Sequence, residues 1–306
     1  MDKKLIEKPG IVVIDKPRGP TSHQVTAWAG EILGSQVGHS GTLDPQVSGV
    51  LVVMLGNAVR LAPLLLKEEK EYVALLRLHG DVPAEKIHEA AALFTGRTYQ
   101  RPPRRSAVAR NLRIRTIHSL DILDIDDRLV LIKVHCEAGT YIRSLCHHMG
   151  LALGVGGHMQ ELRRTRSGRL TEADAHTLHD LRDAAELAAA GDRGPLEKMV
   201  LPVESVAIHL PTVVIRDTAV DALCHGARLA AAGIISCTPF EKRAEVAVMT
   251  RNDELLCLGS ALVSSKSLTP GAHGLVVAPH TVFMQPGTYP RGWKKRDHSQ
   301  NKESKS

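Results

Sequence analysis

Apolar residues run almost without interruption at Ile11 to Ile14, Val50 to Leu55 and Tyr72 to Leu78, a pattern that predicts buried strands. Between the first two, Thr21 or Ser22 caps a helix in which Val25, Trp28, Ala29, Ile32 and Leu33 recur at i, i+3, i+4 spacing. Asp81-Val82-Pro83 opens a second helix that runs through Phe94, with proline near its first turn. Asn111 to Ile125 and Leu129 to Glu137 predict a hairpin around Asp126-Asp127, and Thr140 to Leu153 a further helix. Strands separated by helices, with hairpins but no regular βαβ spacing, predict an α+β fold built on a mixed or antiparallel sheet.

Residues 171 to 190 form an alanine-rich stretch that predicts helix, and Gly191 to Pro195 with Pro202 and Pro211 predicts a connector. A first domain over residues 1–205 and a second over 206–293 follow, with 294–306 a basic, polar, disordered tail. In the second domain Val213 to Ile215, Glu245 to Met249, Leu255 to Leu258 and Gly274 to Ala278 predict a small β-barrel with one helix at Ala219 to His225.

Composition narrows the partners. A formal charge of +6 over 306 residues fits a polyanion without requiring one. Two Trp, four Tyr and three Phe are too few for a surface that stacks several successive bases, so an RNA bound here is held through its shape and phosphates. Five cysteines without a Cys-x-x-Cys pair or a leader predict reduced thiols and a cytoplasmic, membrane-free protein. His135-Cys136 with Cys146-His147-His148 lacks regular ligand spacing and reads as packing, so no metal is expected.

The chemistry centres on Gly38-His39-Ser40-Gly41-Thr42-Leu43-Asp44-Pro45. Alone, Asp-Pro is a turn signal, because Asp accepts local backbone bonds and Pro fixes φ. Glycines around a single carboxylate also suit a loop that presents Asp44 to a ligand. The other segments decide between the two. Asp15-Lys16-Pro17-Arg18-Gly19-Pro20-Thr21-Ser22-His23, Lys70-Glu71-Tyr72-Val73, Gly139-Thr140-Tyr141-Ile142-Arg143-Ser144-Leu145 and Gln160-Glu161-Leu162-Arg163-Arg164 resemble, in order and spacing, the motifs of the TruB family of RNA pseudouridine synthases. His79-Gly80-Asp81-Val82, Gln100-Arg101-Pro102-Pro103 and Cys146-His147-His148-Met149-Gly150 are most similar to its archaeal and eukaryotic, dyskerin-like branch. From Pro211 through Asp221-Ala222-Leu223-Cys224-His225-Gly226-Ala227 to Gly287-Thr288-Tyr289-Pro290 the chain resembles a PUA RNA-binding domain.

The resemblance implies an isomerase that needs no cofactor and one catalytic carboxylate, Asp44, acting either as nucleophile on C1′ or as base on the 2′ hydrogen. It implies that Arg143 pairs with Asp44, that Tyr72 stacks on the flipped uracil and takes the C5 proton, and that Tyr141 and Leu162 shape the base pocket. Lys16 and Pro17 would support the catalytic loop and His39 would contact RNA. Arg101, Arg104 and Arg105 would sit on a loop that closes over substrate RNA. His225, Gly226, Ala227 and Arg228 would meet guide RNA in the PUA domain. An H/ACA guide RNA, rRNA or tRNA substrate and three small accessory proteins, one of them a kink-turn binder, are the implied partners. The short segment before the first strand and the absence of a long lysine-rich tail point to an archaeal version. A standalone synthase for tRNA uridine 55 and a noncatalytic RNA scaffold are the competing readings.

Overall fold

The computed structural model describes residues 5, 9–101, 111–269 and 271–289. The chain separates into two compact units, residues 1–202 and 203–306. The first is built on one mixed sheet, in the order β10-β1-β3-β8-β4-β7-β6-β5. Its elements are β1 (Gly10–Lys16), α1 (Ser22–Leu33), β2 (Val37–Ser40), β3 (Ser48–Leu55), α2 (Ala62–Lys67), β4 (Lys70–Leu78), α3 (Ala84–Phe94), β5 (Gly96–Gln100), β6 (Arg113–Asp126), β7 (Leu129–Cys136), α4 (Ile142–Ala152), β8 (Gly157–Ser167), β9 (Leu170–Thr171), β10 (Ala175–His176), α5 (Leu178–Ala190), α6 (Gly194–Met199) and β11 (Leu201–Pro202). β2, β9 and β11 pair at the side of this path with β3, β8 and β1. Most neighbours are antiparallel; β3 with β8 and β1 with β10 are parallel.

Two apolar cores hold this unit together. Val12, Ile14, Leu51 and Val53 of β1 and β3 meet Val25, Ala29 and Leu33 of α1 and Leu181, Ala184 and Ala188 of α5. Ala74, Leu76, Ile132 and Val134 of β4 and β7 meet Ile87 of α3 and Leu145 and Met149 of α4. The helix predicted after Thr21 is closed by a capping box: the Thr21 hydroxyl accepts from the Gln24 N–H and the Gln24 side chain accepts from the Thr21 N–H. Trp28, placed by periodicity on the buried stripe, is 41% exposed, because the stripe runs through Val25, Ala29 and Leu33 and leaves it at the edge.

The alanine-rich stretch is not one helix. Its first residues form β9, a short 3-10 turn at Glu172–Asp174 and β10, and only Leu178–Ala190 is helical, started by Thr177 capping the Asp180 N–H. The connector after Gly191 contains α6, with Pro195 in its first turn. β8, which lies at the centre of the sheet, has no counterpart in the predicted elements. Its sequence, Gly157-His-Met-Gln-Glu-Leu-Arg-Arg-Thr-Arg-Ser167, carries too much charge to signal a buried strand.

The second unit comprises α7 (Glu204–Ala207), β12 (Thr212–Ile215), α8 (Asp217–Cys224), β13 (Leu229–Ala230), β14 (Ile234–Cys237), β15 (Glu245–Met249), β16 (Leu255–Ala261) and β17 (Leu275–Val282). Its sheet has the order β13-β17-β16-β15-β12-β14, with β12 and β15 parallel. Val220 and Leu223 of α8 pack with Val213, Val246, Val248 and Leu256. The Glu204 carboxylate accepts from the Leu255 N–H at 2.8 Å, tying α7 to this unit. Among the described residues no helix is long and apolar enough to cross a membrane. The predicted tail lies outside the described residues.

Candidate active site

Between β2 and β3 the chain makes a short loop whose main chain is held at almost every second residue. The Arg164 Nη2 donates to the Gly41 carbonyl at 3.0 Å, and the Ser22 hydroxyl donates to Leu43 O at 2.9 Å while accepting the Leu43 N–H at 2.8 Å. The Lys16 Nζ donates to Pro45 O at 3.3 Å and Val47 O at 2.8 Å. Gly19 N–H also reaches Pro45 O, at 2.8 Å, and Val47 N–H closes a turn on Asp44 O at 3.0 Å. With the backbone fixed on both sides, the Asp44 side chain stays half exposed and accepts a hydrogen bond from Arg143 Nη2. Arg143 stands in the first turn of α4, 99 residues further along the chain. The planar guanidinium fork aims the carboxylate.

Tyr72, on β4, is cross-strand neighbour of Arg164 on β8 and packs against the core beside Leu162. Burial pushes its hydroxyl above the ordinary phenol range, while the Arg164 guanidinium beside it pulls the other way. Tyr141 caps α4, and the buried Gln100 clamps its peptide: Tyr141 N–H donates to Gln100 Oε1 at 2.8 Å. Asp44, Arg143, Tyr72, Leu162 and Tyr141 thus all come from β4, β8, the start of α4 and the loop between β2 and β3. Arg164 ties β8 to the loop and Arg143 ties α4 to it, while Gln100 fixes the start of α4 to β5.

Arg164 closes the segment Gln160 to Arg164, whose residue types assign it no role. It is 1% exposed, and among the described residues no carboxylate forms an ion pair with it. Its charge is met instead by Val50 O at 2.7 Å and Gly41 O, and burial lowers its pKa against the opposing pull of Tyr72. Two lysines share the interior. Burial lowers both, Lys16 against the opposing pull of Asp44, and Lys70 to about 8, with Lys70 Nζ donating to Leu65 O and Glu68 O. The available signal was position: Tyr72 and Arg164 face the same core side of adjacent strands, where an arginine has to be satisfied by hydrogen bonds.

Gly49 is where this arrangement leaves no room. Its φ is +100°, and a Cβ built there would lie 2.2 Å from the Arg164 carbonyl oxygen, across the parallel β3–β8 contact. Gly49→Ala is therefore expected to cost ~3 kcal/mol or more. A thermal melt should show the first transition lowered by roughly 10 °C; a melt within 2 °C would contradict the close approach.

The remaining candidates are placed as follows. Lys16 is fully buried and anchors the loop, whereas Pro17 is exposed and its carbonyl accepts from Lys16 Nζ at 2.8 Å. His39 lies on β2, edge-on to His23 at 4.9 Å, and burial lowers its pKa. Arg101 is exposed just after β5; Arg104 and Arg105 lie outside the described residues. In the second unit His225, Gly226, Ala227 and Arg228 form one exposed turn at the end of α8. Gly226 has φ +83°, and Gly226 and Ala227 N–H return to Leu223 O and Ala222 O. Below it the Asp221 carboxylate accepts from Gly287 N–H at 3.0 Å, joining the two PUA-like segments noted in the sequence.

Comparison with known proteins matches residues 31–142 to the N-terminal domain of the TruB family of pseudouridylate synthases, residues 143–207 to the C-terminal domain of tRNA pseudouridylate synthase B, and residues 211–283 to the PUA domain. The probable tRNA pseudouridine synthase B of Methanosarcina barkeri is 48% identical, over 96% of this chain and 87% of the relative. That of Pyrococcus furiosus is 50% identical, over 95% and 86%. Among solved structures, a chain of an H/ACA RNP bound to a substrate RNA containing 2′-deoxyuridine superposes with a TM-score of 0.86 at 46% identity, covering 93% of this chain and 88% of that one. A chain of a Cbf5-Nop10-Gar1 complex gives 0.86 at 49% identity, covering 92% and 87%.

Proposed function

The chain belongs to the TruB family of pseudouridine synthases and carries a PUA domain, and we propose that it isomerises uridine to pseudouridine at Asp44, at sites chosen by an H/ACA guide RNA. The observation that carries the chemical part is the Asp44 loop: a carboxylate hydrogen-bonded by Arg143 on a main chain that is held in part by Arg164, the cross-strand neighbour of Tyr72. The reaction breaks C1′–N1, turns the base and joins C5 to C1′; the C5 proton leaves and N1 gains one, so the product is an isomer. A hydrolase needs a second carboxylate to activate water. Here one carboxylate suffices if water is kept out. Asp44 either attacks C1′ or removes the 2′ hydrogen, Arg143 aims it, and Tyr72 stacks on the uracil and takes the C5 proton as the phenolate, the form that Arg164 favours against burial. Tyr141 and Leu162 border the base.

Support for guide direction comes from the similar solved chains, which are parts of H/ACA particles with Nop10, Gar1 and substrate RNA. On this reading the present chain takes two small protein partners of those kinds and a third that binds the guide's kink-turn, and the exposed turn His225 to Arg228 meets guide RNA. The relatives named for tRNA favour a second reading, a standalone synthase for tRNA uridine 55. Pseudouridine mapping in rRNA and tRNA from cells with and without the gene separates them. Guide direction expects losses at several rRNA positions; loss at one tRNA position alone would refute it.

Removing residues 203–306 leaves β11 paired with β1 and should leave the first unit folded. Guide affinity should fall by ~100-fold or more, because several RNA contacts worth ~1–3 kcal/mol each are lost together. Filter binding of the guide measures this; unchanged affinity would remove the second unit from guide recognition.

A further inference from the structure

Away from Asp44, three side chains with metal-ligating atoms converge on the polar face of the sheet. Glu69 immediately precedes β4, His118 lies on β6 and His135 on β7. His118 Nε2 is 3.1 Å from one Glu69 carboxylate oxygen and His135 Nε2 is 2.7 Å from the other, with the two rings 4.8 Å apart. The convergence has a backbone cause. Ile117 pairs with Cys136 and Ser119 with His135, so His118 is an extra residue in β6. Such a bulge re-aims a side chain, and here it sets His118 beside His135 while Ile117 and Cys136 stay in the core. Glu69 is fixed from behind, its carbonyl accepting from Gly168 N–H at 2.8 Å. The neighbouring cations Lys133 and Arg166 pair with Glu71, at 3.3 and 3.8 Å, and leave the Glu69 carboxylate to the imidazoles.

We propose that Glu69, His118 and His135 form a binding site for a divalent transition-metal ion, zinc foremost, separate from the isomerase centre. Two imidazoles and one carboxylate are the donor set of open zinc sites, with water completing the tetrahedron. Bonds of ~2.0–2.2 Å place ligand atoms about 3.3 Å apart. The donor atoms here all lie within 4.8 Å of one another, so small rotations of three partly exposed side chains close the set. The ion would tie together β4, β6 and β7, and would do so three residues before Tyr72.

The test is calorimetric titration of the EDTA-stripped full-length chain with zinc chloride at pH 7.5. Wild type should bind one ion, and His118→Asn/His135→Asn should bind it ~100-fold more weakly or worse, since ligand loss costs more than the ~10- to 100-fold of an outer-shell partner. Glu69→Gln, which keeps the shape and removes the charge, should weaken it too. X-ray absorption of the zinc-loaded wild type should show two imidazoles. Because sixteen histidines offer other sites, His79→Asn/His158→Asn is the control and should bind like wild type. No binding by wild type at 100 equivalents of zinc, or equal binding by the His118/His135 double variant, would leave the cluster a hydrogen-bonded trio and overturn the proposal.

Discussion

Asp44→Asn is expected to abolish isomerisation while the fold and RNA affinity persist. Asn is nearly the same size, so the loop keeps its backbone contacts to Ser22, Lys16 and Arg164, none of which involves the carboxylate. What disappears is the negative charge and the basic lone pair, and both routes at C1′ and C2′ need them. The loss should exceed the ~10²- to 10⁴-fold of an assisting general base, because this group takes part in bond breaking itself. Arg143 loses its ionic partner, but both side chains are about half exposed, and surface pairs contribute only ~0–1 kcal/mol. Melting should therefore move by a few degrees at most. An Asn variant that turns over within tenfold of wild type, at equal bound substrate, would remove Asp44 from the centre of the reaction.

The second large effect is expected at Arg164, which touches no substrate in this account and acts through the groups it holds. Arg164→Met fills much of the same space but takes the donors away from Gly41 O and Val50 O and removes the charge beside Tyr72. Each acceptor left buried without a partner costs ~1–3 kcal/mol, partly offset by no longer burying a charge. Freed on one side, the loop and Tyr72 can shift, and a displacement of about 1 Å at a reacting group can cost ~10²-fold in rate. Turnover should drop by that order with substrate affinity nearly unchanged, and Arg164→Lys should restore part of it by reaching one of the two carbonyls. A purely structural residue would instead lower melting and leave the turnover of the folded fraction normal. Single-turnover rates on protein verified as folded by its melt distinguish the two.

Much of the first unit was legible because β1, β3 and β4 are simple apolar runs and its helices carry caps that name their own starts. Thr21 with Gln24 and Pro83 before α3 are of that kind. β8 was not legible, since its arginines are satisfied by partners far away in sequence: Arg163 by Asp15 at 2.9 and 3.1 Å, Arg164 by main-chain carbonyls. The stretch from 171 reads as helix in sequence because local alanine content outweighs two short pairings, with β8 and β1, that only the tertiary fold supplies. At the site, the resemblance brought Asp44, Tyr72, Tyr141, Arg143 and Leu162 forward as residue types within motifs. The residues that hold them, Ser22, Gln100 and Arg164, act through backbone groups, and no spacing in a sequence announces such a contact.

On the reading proposed above the chain is a guide-directed synthase working through Asp44. The most direct measurement is tritium release from RNA containing 5-tritiated uridine, with the chain assembled with its accessory proteins and a guide, comparing a guide that pairs around the target with one mismatched there. The matched guide should give release from the single target uridine, the mismatched guide near-background release, and Asp44→Asn in the matched particle none. Equal release from the same unstructured RNA with and without guide, or release by Asp44→Asn within tenfold of wild type, would contradict it.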